Sequence, residues 1–298
     1  MACATALAAL CAVLPAQAHA EAPDINGLLR RPGVRLVAMD LYATWCKPCM
    51  EAVSTWQRLR QTHDADGLRL VVVSVQDPNS GCRALKWTPD AQSCDLDGSF
   101  AKVVNPSGNL PSAYLWSWQG QLLVNGGTVE AVGQAVEKYL KRSPRVVVEA
   151  LGLDGRPDAA LRGLVQNRLS DEGKLTVVLS ETELVRIRKL RSDTHKLQKK
   201  GSQKCVVDAE ISANLRLEAT VRRIESRTML FLALQPIEGG CQVAGVMASW
   251  QPARPAGSVA EAVALLHDSL RRPLEMPQAG ATPAPGVAPP KLPSTQTG

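Results

Sequence analysis

The sequence predicts an α/β domain followed by a second, smaller α+β domain and a disordered Pro/Ala-rich tail. Three observations carry this reading. Two short, almost continuously apolar runs, at residues 34–43 and 68–75, bracket a stretch with helical periodicity. Strands buried on both faces read this way, and strand–helix–strand is a βαβ unit with a parallel pairing and a right-handed crossover. The pattern then breaks at Ser143-Pro144 and restarts with new strands. Beyond residue 272 it gives way to a Pro/Ala/Gly-rich stretch that cannot bury a core. At 298 residues the chain is long enough for two cores of ordinary size.

In order along the chain, residues 34–43 (VRLVAMDLYA) form the first expected strand. Met50, Val53, Trp56 and Leu59 make an apolar stripe that predicts a helix over 47–62 with this face inward. Residues 68–75 (LRLVVVSV) are the second strand. Residues 77–109, rich in Pro, Gly, Asn and Asp, read as irregular. Residues 112–118 and 121–124, separated by Gln119-Gly120, predict a tight hairpin. A helix over 128–142 closes the domain. The second domain is expected to run strand 145–151, helix 157–172 and strand 174–179. A basic helix, three antiparallel strands at 215–225, 228–237 and 241–250, and a helix over 259–272 complete it. The domain limits are therefore 21–143 and 144–272, with the tail at 273–298.

The first twenty residues carry no charge, run apolar from Ala6 to Leu14 and end in Ala18-His19-Ala20, the pattern of a cleaved secretory signal peptide. No Lys or Arg precedes the apolar run, which leaves the true start open. Leu10 before Cys11 argues against a lipid anchor. Cleavage after Ala20 leaves six cysteines, and an even number in an exported chain reads as disulfides. Their grouping suggests 46–49, 82–94 and 205–241, although fifteen connectivities are open. Cys82–Cys94 and Cys205–Cys241 are expected to be structural, the latter closing a loop that stabilises its domain by roughly 3–4 kcal/mol in the chain-entropy model.

The chemistry concentrates at Trp45-Cys46-Lys47-Pro48-Cys49, a C-x-x-C where a buried strand turns into a helix. Thiolate is the nucleophile, and a helix N-terminus and a neighbouring cation both favour it. Cys46 is expected to be the exposed attacking sulfur and Cys49, one turn in, the resolving one. Pro48 fits the first turn, where its missing N–H costs nothing, and Lys47 adds positive charge. This W-C-x-P-C context after an apolar strand resembles the thioredoxin superfamily. With the leader, YATWCKPC is most similar to its TlpA/ResA-like periplasmic branch. The resemblance covers about residues 25–142. It implies a thioredoxin-like fold in which Asp40 is a buried proton acceptor beneath the cysteines and Leu110-Pro111 is a cis-proline loop that meets the substrate backbone. Ser112-Ala113-Tyr114 departs from the residues common after that proline, and a glutamate seen in cytochrome c maturation members is absent.

Residues 145–272 resemble TolB N-terminal-like or CsgG-like α+β envelope domains in element order and in the placement of Cys205 and Cys241. They contain no Ser/His/Asp set, phosphate loop or metal cluster, so no cofactor or metal is expected and a docking role is the default. His63, His195 and His267 are expected on helix surfaces. Residues 186–204 hold eight basic side chains against Asp193, with Leu184, Ile187, Leu190 and Leu197 at helical spacing. An amphipathic helix with a solvated basic face, presented to an envelope partner, is expected there; nucleic acid is not. The functional reading is an exported thiol–disulfide oxidoreductase, of reductase type, acting on protein disulfides and recharged by a membrane thiol donor. The isolated first domain is expected to keep this activity. The rival readings are a redox-inactive thioredoxin-fold scaffold of the envelope and a structural zinc site at the cysteines.

Overall fold

The computed structural model describes residues 22–75, 87–141, 144–178, 214–236 and 242–277. The expected signal peptide, Cys82, the basic 186–204 segment, His195, Cys205, Cys241 and the tail from 278 lie outside the described residues.

The first domain opens with a short helix, α1 (Ile25–Arg30), and the strand β1 (Leu36–Tyr42), every residue of which is buried. Next come α2 (Lys47–His63) and β2 (Leu68–Val75), parallel to β1 in unbroken register from Leu36↔Leu68 to Tyr42↔Ser74. This is the βαβ unit that the two apolar runs predict. The segment expected to be irregular contains an edge strand, β3 (Ala91–Asp95), and a short helix, α3 (Ser99–Val104). The buried Asp95 carboxylate accepts from the backbone N–H groups of Phe100 and Ala101 at 3.1 and 2.7 Å, so it starts α3 without an apolar pattern. Strands β4 (Ser112–Ser117) and β5 (Leu122–Gly127) form the hairpin, turning at Gly120 with φ +91°, and α4 (Val129–Lys141) follows.

The sheet order is β3-β2-β1-β4-β5, with β1, β2 and β3 parallel and β4 and β5 antiparallel. With helices on both faces and a cis Leu110-Pro111 bond ahead of β4, this is a thioredoxin-like α/β fold. Alternation along β1 divides the core. Leu36, Ala38 and Tyr42 pack with Cys46, Cys49 and Trp56 of the α2 side and with Val132 and Val136 of α4. Val37, Met39 and Leu41 pack on the other face against α1 and α3.

The second domain is α+β, as expected. Its elements are β6 (Arg145–Leu151), α5 (Ala159–Glu172), β7 (Thr176–Val177), β8 (Asn214–Ile224), β9 (Arg227–Pro236), β10 (Ala244–Ser249) and α6 (Pro255–Leu270). The sheet order is β10-β9-β8-β6-β7. Strands β8 to β10 form the antiparallel meander, while β6 runs parallel to β7 and β8. Both helices cover one face, where α5 and α6 bury Leu161, Val165, Leu169, Val259, Val263 and Leu266. The expected strand at 174–179 shrinks to two residues, because Lys174 turns toward the first domain.

The domains meet at the start of β1. Gly33 N–H donates to Glu172 O at 2.7 Å, Lys174 Nζ to Arg30 O at 3.3 Å and Arg271 to Asn26 at 2.5 Å. Trp118, just past β4, is buried in the second domain's core with its ring edge-on to His267 at 5.7 Å. His267 therefore differs from its expected surface place: it is 3% exposed, and burial together with Lys174 and Arg168 pushes its pKa down to about 4. Glu172 lies 4.0 Å from its Nδ1 but is already held by Arg168 and does not restore it. The first residues of the expected tail are held against the first domain. Arg272 and Glu275 donate backbone N–H groups to Gln119 O and Gly120 O, both at 2.9 Å, and Trp116 Nε1 donates to Glu275 O at 2.8 Å. Residues 272–277 thus form a strap along the β4–β5 turn.

Candidate functional site

The seven residues of β1 carry the chain about 20 Å, at roughly 3.3 Å per residue, from this interface to the opposite end of the sheet. There the sequence Ala43-Thr44-Trp45 leads into α2. Cys46 N–H donates to Ala43 O at 3.1 Å, which closes the turn and makes Cys46 the N-cap of α2. Its sulfur accepts the Cys49 N–H at 3.2 Å. Sulfur here takes the place of the usual capping oxygen, so the unpaired N–H groups of the first turn are aimed at it. Cys46 and Cys49 are joined by a disulfide. After reduction the same N–H and helix terminus favour a thiolate on Cys46.

Of the sequence-predicted residues, Trp45, Cys46, Lys47, Pro48 and Cys49 lie together at this turn, with two corrections. Cys46 was expected to be exposed, yet in the disulfide state the residue is 5% exposed and Cys49 fully buried. The exposed surface beside them belongs to Trp45, 63% exposed, and to Lys47 and Pro48. Lys47 points into water and lies 4.0 Å from Glu51, so solvent and that carboxylate screen its charge. Met50, expected on the buried stripe, is 47% exposed, and its sulfur accepts the buried Tyr42 hydroxyl at 3.0 Å. The stripe closes inward only from Trp56, with Val53 and Leu59 partly buried.

Asp40 is buried to 1% exposure. The alternation that places Ala38 and Tyr42 on the α2 face places Asp40 between them on that face, the one that carries Cys46, Cys49 and Trp56. Burial raises its pKa well above 3.8, and the Trp56 indole opposes the shift. Neither Asp40 Oδ1 nor Trp56 Nε1 has a partner of good hydrogen-bond geometry, so the indole acts as a nearby dipole and desolvation dominates. Pro111 is cis and half-buried, and Ala113, two residues on, pairs with Asp40 across β1 and β4. Trp56 and the Tyr42–Met50 contact were not singled out as site residues. Trp56 was visible as an unusually large member of the helical stripe, while the Tyr42–Met50 contact has no sequence signal.

Cys94 is half of a disulfide. Cys46 and Cys49 are bonded to each other, so its partner lies outside the described residues. It sits on β3 in the cross-strand row Tyr42–Ser74–Cys94. In the second domain a cleft of about 560 Å³ is lined by Glu149, Asp158, Arg162, Arg216 and Glu218. Arg216 is held there by Glu149 at 3.0 Å, Glu218 at 3.2 Å and Gln235 at 2.9 Å. Among the described residues, no helix is long and apolar enough to cross a membrane.

The fold and site together define a thioredoxin-like domain with a C-x-x-C disulfide at a helix N-terminus. No family model matches the chain, and no curated protein matches it. Solved structures similar to parts of it include a thiol:disulfide interchange protein DsbE from Chlorobium tepidum, at 22% identity, covering 36% of this chain and 80% of that one with a TM-score of 0.31. A thiol-disulfide oxidoreductase from Bacteroides fragilis is similar at 24% identity, covering 35% and 80%, with a TM-score of 0.30. The PelC dodecamer structure from Paraburkholderia phytofirmans is similar at 14% identity, covering 44% and 91%, with a TM-score of 0.27. The fold assignment itself stands on strand order and register.

Proposed function

We propose that the chain is an exported thiol–disulfide oxidoreductase of the TlpA/ResA-like type that reduces protein disulfides. The observation that carries this reading is the Cys46–Cys49 disulfide with the Cys46 sulfur capping α2. In the reduced protein the Cys46 thiolate attacks a substrate disulfide, forming a mixed disulfide and releasing one substrate thiolate. Cys49 gives its proton to the Asp40 carboxylate, which burial makes an unusually strong base. The Cys49 thiolate then attacks Cys46 Sγ, releases the second substrate thiolate and closes the 46–49 bond. Two electrons pass to the substrate, and a membrane thiol donor returns them. The apolar run from Ala6 to Leu14 and the Ala18-His19-Ala20 cleavage pattern support a periplasmic location. The second domain docks at the far end of β1 and serves docking or localisation.

Insulin reduction by dithiothreitol tests the class: wild-type protein accelerates it and Cys46→Ser does not. Equal rates with both would make the chain a redox-inactive scaffold. A reduction potential near about −120 mV, where strong oxidants lie, in place of about −270 mV, would reverse the proposed direction.

A further inference from the structure

Sheet edges expose unpaired N–H and C=O groups, and proteins blunt them with charge, bulges, brevity or cover. Of the four sheet edges among the described residues, three are blunted. Strand β3 has Asp90 before it, Asp95 as its last residue and Asp97 after it. Strand β5 has register shifts opposite Leu115, and its Leu122 N–H is taken by Glu275 Oε2 at 2.9 Å. Strand β7 is two residues long.

Within Ala244–Ser249, strand β10 carries no charge and no register shift, and no other strand among the described residues covers its outer edge. Its register against β9 is unbroken from Ala244↔Leu234 to Ser249↔Met229, and it pairs with no other strand among the described residues. Residues 239–253 contain no charged side chain. Trp250 N–H donates to Thr228 O at 2.9 Å in the same register, so Ala244, Val246 and Ala248 bond inward to β9. The N–H and C=O groups of Gly245, Met247 and Ser249 therefore point outward. All three residues are exposed, Met247 to 50%.

We propose that this edge pairs antiparallel with β10 of a second copy, joining two sheets across a two-fold axis at Met247. Identical strands satisfy this geometry reciprocally: Met247 faces its symmetry mate, and Gly245 faces Ser249 of the other copy. Neutrality selects the occupant. A charged segment finds no counter-charge along residues 239–253, whereas a second β10 brings the same uncharged strand and no repulsion. Val246, half-buried on the helix side, and Met247 on the other side gain cover on pairing.

Sedimentation equilibrium over a dilution series, with the full chain, tests this. Wild type is expected at twice the chain mass, and Met247→Lys at the chain mass, because two lysines then face each other on the axis. An equimolar mixture of Met247→Lys and Met247→Glu is expected to return to twice the mass, which shows that both variants are folded. In amide exchange, the Gly245, Met247 and Ser249 protons are slowed in the wild-type dimer relative to Met247→Lys, while those of Val246 and Ala248 are not. A wild-type protein that stays at the chain mass at every concentration overturns the proposal. So does a Met247→Lys variant that remains dimeric, or a wild-type dimer whose outward amides exchange freely.

Discussion

Asp40, proposed as the proton acceptor, is buried at a cost in stability once it is ionised. Its folded pKa is raised well above 3.8 by burial. The folded state therefore holds the proton more tightly than the unfolded chain, and this contribution is complete below the unfolded pKa. It is lost as pH rises through the folded value. Asp40→Asn is expected to raise the melting temperature at neutral and alkaline pH, with the gain vanishing near pH 4. The same change should slow resolution of mixed disulfides by roughly 10²-fold, the scale of a lost general base. Melting curves against pH and stopped-flow thiol exchange check the two halves. A melting temperature unchanged at every pH would place Asp40 in a solvated setting. Its burial was legible in the sequence because Val37, Ala38, Met39 and Leu41 surround it in an otherwise apolar strand, whereas its proposed role came only from the family resemblance. Met50 was misread for a related reason: helical spacing put it on the inner stripe, but the first turn of α2 lies at the domain's surface, where Tyr42 reaches it from below.

Elements with long apolar patterns were legible; those held by single polar contacts were not. Strands β1 and β2, helix α2 and the β8–β10 meander follow from periodicity alone. Strand β3 (Ala-Gln-Ser-Cys-Asp) has no apolar alternation and exists through its ladder to Val71–Val75. Helix α3 depends on Asp95. The last helix was legible, but His267 falls among Val263, Leu266 and Leu270, a face that the first domain's Trp118 completes. That contact spans about 150 residues of sequence and leaves no local trace. Trp118→Ala is expected to cost about 3–5 kcal/mol, as for truncation of a buried aromatic, while leaving Cys46 alkylation rates unchanged. Chemical denaturation and iodoacetamide kinetics read the two effects. A slowed Cys46 would mean that the interface reaches the redox site.

At the scale of the whole molecule, the disulfide and the domain interface occupy opposite ends of the first sheet. Tyr42 leads into the disulfide, while Gly33, Trp118 and the strap at 272–277 bind the second domain. The sequence pattern breaks at Ser143-Pro144 and so announced a second set of strands; the strap was not legible, because Pro273-Leu274-Glu275 reads as the start of a tail. The proposed division of roles has Cys46 attack and Cys49 resolve. It is tested most directly by incubating reduced Cys49→Ser and Cys46→Ser variants with a disulfide-bonded protein and mapping covalent adducts by mass spectrometry. Cys49→Ser should accumulate a mixed disulfide through Cys46, and Cys46→Ser should form none. Adducts through Cys49 in the Cys46→Ser variant, with none in Cys49→Ser, would contradict the assignment.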